Sequence, residues 1–345
     1  MNAEPLKVAI VGLGRWANTT AELIKDSPKL HLVTCFTRTP AKREAFSQKF
    51  GCEQEESYEA VLQHPEVEGV ILTTPNNLHA EQAIAAAGQG KHVRVDKPIT
   101  TTISDAKAAI RACEEAGVVL TVNASYRFTR GLRIVRQMLQ EGVVGELAMV
   151  EANYSNDRGF FYTPNDWQWY TDGSPGGPLM QVAVHQIDNM LYLFGPIRRV
   201  SAAFSKVMTK SEIPDVAVLW LEFESGLLGT LGSSFISPTN RKGRFTLSLN
   251  TFGSEANIYY DRWDGVSILK RDGEKMEHVP FEEFPGQGQV GENLEDFAGA
   301  VREGRAPEVG GQEGLHVLAV VRAGLCSAER GQPVEIAEII EEGDR

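Results

Sequence analysis

Two stretches of this chain bring together residue types that hold developing negative charge and exchange protons. The first is His92-Val93-Arg94-Val95-Asp96-Lys97-Pro98. Apolar alternation reads as a strand, and Pro98 disfavours helical backbone at the residue before it, so Lys97 is held extended at a strand end from which its ammonium can project into a crevice. An ammonium so placed can hydrogen-bond a reacting oxygen and stabilise an alkoxide. The second is Gly176-Gly177-Pro178-Leu179-Met180-Gln181-Val182-Ala183-Val184-His185-Gln186-Ile187-Asp188. At helical spacing Gln181, His185, Asp188 and Tyr192 share one face, while Met180, Val184, Ile187 and Leu191 lie on another. A solvent-facing stripe normally carries Lys or Glu, and residues 179–194 contain neither, which favours a buried functional face. His185, with an unperturbed pKa of about 6.5, is the group suited to proton exchange near neutrality.

Such side chains need a scaffold, and the chain begins with one. Lys7-Val8-Ala9-Ile10-Val11 runs into Gly12-Leu13-Gly14-Arg15-Trp16-Ala17, a strand, tight turn and helix start. Gly12 permits the turn, Gly14 leaves room for a pyrophosphate, and Ala17 lets the helix pack closely on the strand. Strand-like runs at Val8–Val11, Leu32–Phe36, Gly69–Thr73, His92–Asp96 and Val118–Val122 alternate with helical patterns. One of these is Leu78–Gly88, with Ala80, Ala83, Ile84 and Ala87 as its apolar face. This rhythm predicts an α/β Rossmann domain with a doubly wound parallel sheet over residues 1–124, its ligand at the strands' carboxyl ends. Residues 125–345 change character, with a helix at Gly131–Glu141, seven long strand-like runs between Leu147 and Arg271, an insert at Pro164–Gly195 and closing helices at Leu294–Glu303 and Gly314–Glu329. The expectation is an α+β domain on a large, mostly antiparallel open sheet, with the closing helices packing back on the first domain.

Composition narrows the partners. A formal charge of −12 and a pI near 5.2 argue against nucleic acid or an anionic membrane, and 42% hydrophobic residues suffice for two ordinary cores. Cys35, Cys52, Cys113 and Cys326 form no Cys-x-x-Cys pair, so they read as structural thiols of a reducing compartment with no metal site. No run approaches the length of a membrane span, and a cytoplasmic protein acting on a small molecule is expected.

Taken in order, Val8–Ala17, Thr74-Pro75-Asn76-Asn77-Leu78-His79, Gly90-Lys91-His92-Val93 leading to Asp96-Lys97-Pro98, Tyr126-Arg127-Phe128, Gly176–Asp188 and Ser327–Val334 resemble the motifs of the glucose-fructose oxidoreductase / inositol dehydrogenase / rhizopine catabolism (Gfo/Idh/MocA) family. The resemblance covers nearly the whole chain. It implies an NAD(P)-dependent oxidoreductase, a homodimer or homotetramer, moving a hydride between nicotinamide and a secondary alcohol or ketone of a sugar, cyclitol or related polyol. Lys97, His185 and Gln181 would be catalytic. Gly12, Leu13, Gly14, Arg15, Trp16, Thr37, Arg38, Thr74, Pro75, Asn76, His79, Asp96, Lys97 and Arg127 would meet the cofactor, and Tyr162, Trp167, Gln181, His185 and Lys97 the substrate.

Four departures bear on this expectation. Asp96 replaces a common Glu. Gln181 stands where many sugar and inositol dehydrogenases carry Asp, and a neutral amide orients an imidazole without stabilising its cation by a full charge. Ala183 also replaces a frequent Gly. At the second strand's end Thr37 replaces the acid that binds the adenosine ribose hydroxyls, and Arg38 offers a planar fork to a 2′-phosphate, which favours NADP over NAD. The alternatives are a dihydrodiol dehydrogenase acting on a cyclic diol, since some such relatives carry an amide at the position of Gln181, or an NAD(P)-sensing regulatory protein without turnover.

Overall fold

The computed structural model describes residues 4–283 and 287–343. Its chain divides into two compact units, one of residues 4–128 with 287–318 and the other of residues 129–283 with 319–343.

In the first unit, β1 (Leu6–Val11), β2 (Leu30–Phe36), β3 (Glu53–Gln54), β4 (Gly69–Leu72), β5 (His92–Val95) and β6 (Leu120–Val122) form one parallel sheet in the order β3-β2-β1-β4-β5-β6. β1 sits centrally, which is why its apolar residues run nearly unbroken instead of alternating: Val8, Ala9, Ile10 and Val11 are all buried. The helices α1 (Arg15–Lys25), α2 (Pro40–Phe50), α3 (Tyr58–Gln63), α4 (His79–Gly88) and α5 (Ile103–Ala116) link the strands. Buried Ala17, Ala21 and Ile24 of α1 join Leu6, Val8 and Ile10 in a single core. The strand order reverses between β1 and β4, and in an open α/β sheet ligands bind at the carboxyl ends beside such a reversal.

Two helices differ from expectation. In α4, Ala80, Ala83, Ala86 and Ala87 are buried while Ile84 is 39% exposed, because fully buried His79 fixes the phase of the helix from its first residue. The helix α8 (Gly288–Glu303) begins six residues before the expected Leu294, and its first turns bury the polar Gln289 and Asn293 together with Val290. Glycines and amides there give no apolar period to read.

The second unit holds α6 (Arg130–Gln140), β7 (Leu147–Ser155), α7 (Val184–Phe194), β8 (Ile197–Ser205), β9 (Val216–Phe223), β10 (Leu228–Ser234), β11 (Thr246–Gly253), β12 (Ala256–Asp261), β13 (Gly265–Lys270) and β14 (Glu277–Val279). After α9 (Gly311–Arg330), which spans the division, come β15 (Val334–Glu335) and α10 (Ile336–Glu342). The sheet runs β14-β13-β12-β11-β7-β10-β9-β8-β15, with β7 and β10 parallel and the other pairs antiparallel. Strict alternation marks its two faces: on β9, Ala217, Leu219, Leu221 and Phe223 are buried, whereas Val218 and Trp220 are exposed.

The connection from β8 to β9 is held by one carboxylate. Asp215, 1% exposed, accepts hydrogen bonds from the backbone N–H groups of Val207 (2.7 Å), Met208 (2.6 Å) and Thr209 (3.1 Å), and from the Thr209 hydroxyl. Burial works against its ionisation, but these donors outweigh it and hold the carboxyl below its usual 3.8. A depressed folded-state pKa stabilises the fold above the unfolded value and ceases to do so as pH falls through the folded one. Asp215→Ala, which leaves three N–H groups without their acceptor, should lower stability by about 3 kcal/mol at neutral pH. In denaturant titrations the gap between the two proteins should narrow as pH drops below about 4.

Candidate functional site

In the first unit the carboxyl ends of β1, β4 and β5 are joined by short hydrogen bonds into one surface. Gly12 has a φ of +89°, and a Cβ there would lie 2.8 Å from the Thr74 backbone nitrogen, so only glycine fits. Its N–H donates to the Phe36 carbonyl at the end of β2 (2.8 Å), and its carbonyl accepts from the Thr73 hydroxyl after β4 (2.5 Å). Gly14 is different, because a Cβ there would meet no atom within 4 Å. Packing does not demand glycine at 14; the open space in front of α1 does, if a ligand is to reach the backbone. The start of α1 has no side-chain cap and no acidic residue in its first turn, which leaves its N–H groups and positive dipole end suited to a phosphate. A dinucleotide's pyrophosphate fits this cradle. Leu13 packs into the core, while Arg15 and Trp16 are exposed, the guanidinium 5.9 Å from the indole centroid.

At the end of β2, Arg38 is exposed and the Thr37 carbonyl accepts a 3.0 Å hydrogen bond from Arg43 Nη1 on α2. After β4, exposed Pro75 and half-buried Asn76 open a short 3₁₀ turn, and the Thr74 hydroxyl donates to Gln82 Oε1 (2.6 Å). His79 lies wholly inside, with Nδ1 3.0 Å from the Pro98 carbonyl and Nε2 3.0 Å from the Thr74 carbonyl. Burial pushes its pKa down, against the pull of Asp96 and the carbonyls. A neutral imidazole carries one N–H, so it donates to one of these two carbonyls and packs against the other, between the β4 and β5 ends.

The Lys97-Pro98 peptide is cis. Asp96 Oδ1 accepts from the Lys97 backbone N–H (2.9 Å) and from Asn123 Nδ2 (3.1 Å) after β6. The shorter aspartate in place of glutamate thus folds back on its own strand end and fixes the backbone that carries Lys97. Arg127 is 4% exposed and donates from Nη1 to the Glu308 carbonyl (3.0 Å).

In the second unit Gly176 and Gly177 have φ of +72° and +54°, and a Cβ on Gly177 would lie 2.3 Å from the Pro214 carbonyl oxygen. The chain then enters a π-helical turn, Leu179–Ala183, before α7. Gln181 is thus in a π turn and His185 in the α-helix after it, so the expected uniform helical stripe is interrupted. Single π turns inside helices recur at functional sites. His185 is half-buried, its ring 6.0 Å from that of Tyr154, which stacks on Phe245 at 5.1 Å. Of the predicted polar face, Asp188 is 1% exposed and the Tyr192 hydroxyl accepts from Arg133 (2.6 Å). In the insert, Tyr162 packs edge-on against Phe235 at 5.7 Å and burial raises its phenol pKa, while Trp167 is 46% exposed.

Residues 6–124 match the profile of the oxidoreductase family with an NAD-binding Rossmann fold, and residues 132–259 match the Gfo/Idh/MocA C-terminal domain. The chain belongs to the Gfo/Idh/MocA oxidoreductase family. It is 26% identical over 341 residues to scyllo-inositol 2-dehydrogenase (NAD(+)) of Bacillus subtilis, covering 96% of both chains. It is 25% identical over 303 residues to the NADP(+) scyllo-inositol 2-dehydrogenase of the same organism, covering 80% of this chain and 81% of that one. A crystal structure from Desulfitobacterium hafniense, provisionally assigned as an NADPH-dependent oxidoreductase, superposes with a TM-score of 0.91 at 35% identity, covering 98% and 99%.

Within this Gfo/Idh/MocA chain several residues that shape the site escape sequence reading. Arg94, on the strand that ends in Lys97, is fully buried; its Nε donates to Asn293 Oδ1 on α8 (2.9 Å), and Asn293 in turn donates to the Val122 carbonyl (3.3 Å). Burial pushes this guanidinium down to about 10, which leaves it charged at neutral pH, and Asp96 opposes the shift. A fixed cation therefore lies beneath the Asp96-Lys97 strand end. In the second unit, buried Gln186 donates to the carbonyls of Asn153 (3.1 Å) and Ser248 (2.6 Å), anchoring α7 one residue from His185. Unusual polar residues in apolar runs, Arg94 in β5 and Gln186 in α7, were the available signal.

Proposed function

We propose that this oxidoreductase interconverts a secondary alcohol and its ketone on a sugar, cyclitol or related polyol, with NADP preferred over NAD. The observation that carries the reading is Lys97 at the carboxyl end of β5, on the same sheet edge as the Gly12–Ala17 turn, with its backbone fixed by Asp96. The Gly12–Ala17 turn would hold the dinucleotide, whose nicotinamide would supply the hydride acceptor or donor for the carbinol carbon. Lys97 donates a hydrogen bond to the reacting oxygen and stabilises the alkoxide, His185 takes or returns the hydroxyl proton, and Gln181 orients His185 or a neighbouring hydroxyl. Tyr162 and Trp167 offer ring faces to the apolar side of the substrate.

NADP is favoured by what surrounds Thr37. No acid stands there to meet ribose hydroxyls, Arg38 is exposed, and Arg43 adds a second guanidinium held at the Thr37 carbonyl. Arg38→Ala should weaken NADP binding by about 10- to 100-fold, the size of a lost charge-assisted hydrogen bond, and leave NAD binding nearly unchanged. Fluorescence titration of both reduced dinucleotides tests this, and equal losses for the two would remove the NADP assignment.

A homodimer or homotetramer belongs to the same proposal. It is supported by exposed Trp220, Val218, Leu228 and Met149 on β9, β10 and β7, where Leu228 pairs with Met149 and Trp220 with Thr230. A cytoplasmic location is supported by the four unpaired thiols. Among the described residues no helix is long and apolar enough to cross a membrane.

A further inference from the structure

We propose that Arg94, Asn293 and Asn123 are positioning residues for Lys97, holding the strand end that carries it through one closed ring of hydrogen bonds. Arg94 Nε on β5 donates to Asn293 Oδ1 on α8 (2.9 Å), and Asn293 Nδ2 donates to the Val122 carbonyl on β6 (3.3 Å). The next residue, Asn123, returns to β5 twice: its N–H donates to the Val95 carbonyl (2.8 Å) and its Nδ2 to Asp96 Oδ1 (3.1 Å). The same Asp96 oxygen accepts from the Lys97 N–H (2.9 Å). Arg94, Val95 and Asp96 are consecutive, so the strand itself closes the ring.

This strand end needs support from outside the sheet. β6 has three residues and ends the sheet order, while Asp96 and Lys97 lie beyond Val95, the last residue of β5. Short, weakly paired strand ends open more readily than a sheet's centre. An ammonium that must meet a developing alkoxide tolerates little of that motion, because a misplacement of about 1 Å can cost about 100-fold in rate. α8 supplies the support by bringing Asn293 to both strands at once.

Stability alone does not account for an arginine here. Arg94 is 0% exposed, and its Nη1 and Nη2 have no hydrogen-bond partner among the described residues. Taking a guanidinium out of water is costly, and apolar side chains in place of a buried charged group and its partner are often as stable or more so. An apolar pair cannot fix direction. The Arg94 Nε–H orients the Asn293 amide, which then holds the Val122 carbonyl next to Asn123, and Asn123 holds the carboxylate that fixes the Lys97 N–H. The effect on rate rests on the reading of Lys97 given above; the fixing of its N–H does not.

The test compares the full-length protein with Arg94→Leu/Asn293→Leu, in which both partners become apolar and the Val122 carbonyl keeps its bond from the Ala124 N–H (2.9 Å), and with Asn123→Ala. The measurements are amide hydrogen exchange at Lys97, melting temperature, NADPH affinity, and single-turnover hydride transfer on the sugar or cyclitol that the wild type turns over fastest. For the double variant the expected result is an unchanged or higher melting temperature, NADPH affinity within about threefold, Lys97 exchange about tenfold faster and hydride transfer about tenfold slower. Asn123→Ala should show the same faster exchange and slower transfer, and adding it to the double variant should cost little more, because both act through Asp96. If the double variant does not fold, Asn123→Ala decides by the same readouts. Wild-type Lys97 exchange and hydride transfer in a folded variant, with or without a lower melting temperature, would make the ring structural only and overturn the proposal, as would fully additive losses. A wild type inert toward every sugar and cyclitol would overturn the polyol reading alone, and Lys97 exchange would still decide whether the ring holds the strand end.

Discussion

Lys97→Ala should reduce turnover by about 10²- to 10⁴-fold while changing NADPH affinity by no more than about threefold, the signature of a group that acts on the reacting oxygen in the transition state. The reason is local. The backbone on either side of Lys97 is fixed without its side chain, by the Asp96 carboxylate on its own N–H and by buried His79 packed against the Pro98 carbonyl, so the truncation should leave the strand end and the glycine turn in place. Pre-steady-state hydride transfer, read at the reduced-nicotinamide absorbance, separates the chemical step from product release. Lys97→Arg restores charge but not shape, since a planar fork cannot present the single ammonium donor, and should recover only a small part of the rate. Wild-type turnover in Lys97→Ala would remove this residue from the chemistry.

His185→Ala carries the second large expectation, a fall in turnover of about 10²- to 10⁴-fold, the usual range for loss of a positioned general acid-base group. Its pH dependence distinguishes proton exchange from mere packing. In the oxidation direction the wild-type rate should show a limb that vanishes in the variant, whereas a histidine that only packs against Tyr154 would leave the profile's shape unchanged and lower the melting temperature. Anchoring of α7 by Gln186 to the Asn153 and Ser248 carbonyls should keep the helix in place when the imidazole is removed.

How much of this was legible beforehand depends on the range of the interaction that decides each feature. Gly12, Gly14 and Ala17 declared the turn because its needs are local: a positive φ, an unobstructed backbone and a close helix. The parallel strands showed as apolar runs for the same reason, and the second unit's strands as alternation. By contrast, Arg94 is tied to Asn293, 199 residues away, and no local pattern announces that a cation in β5 will be buried against an amide of α8. Ile84 lies in phase with the apolar positions of α4, whereas buried His79 sets the phase of the helix and leaves Ile84 exposed. The π turn at Leu179–Ala183 departs from a 3.6-residue period after a Gly-Gly-Pro entry, and no apolar spacing announces it.

The most direct test of the account is an initial-rate survey of sugars, cyclitols and cyclic diols with NADP and with NAD, read at the reduced-nicotinamide absorbance. The account predicts turnover on members of the sugar and cyclitol set, faster with NADP. Tight NADP binding with no turnover on any of them would contradict it.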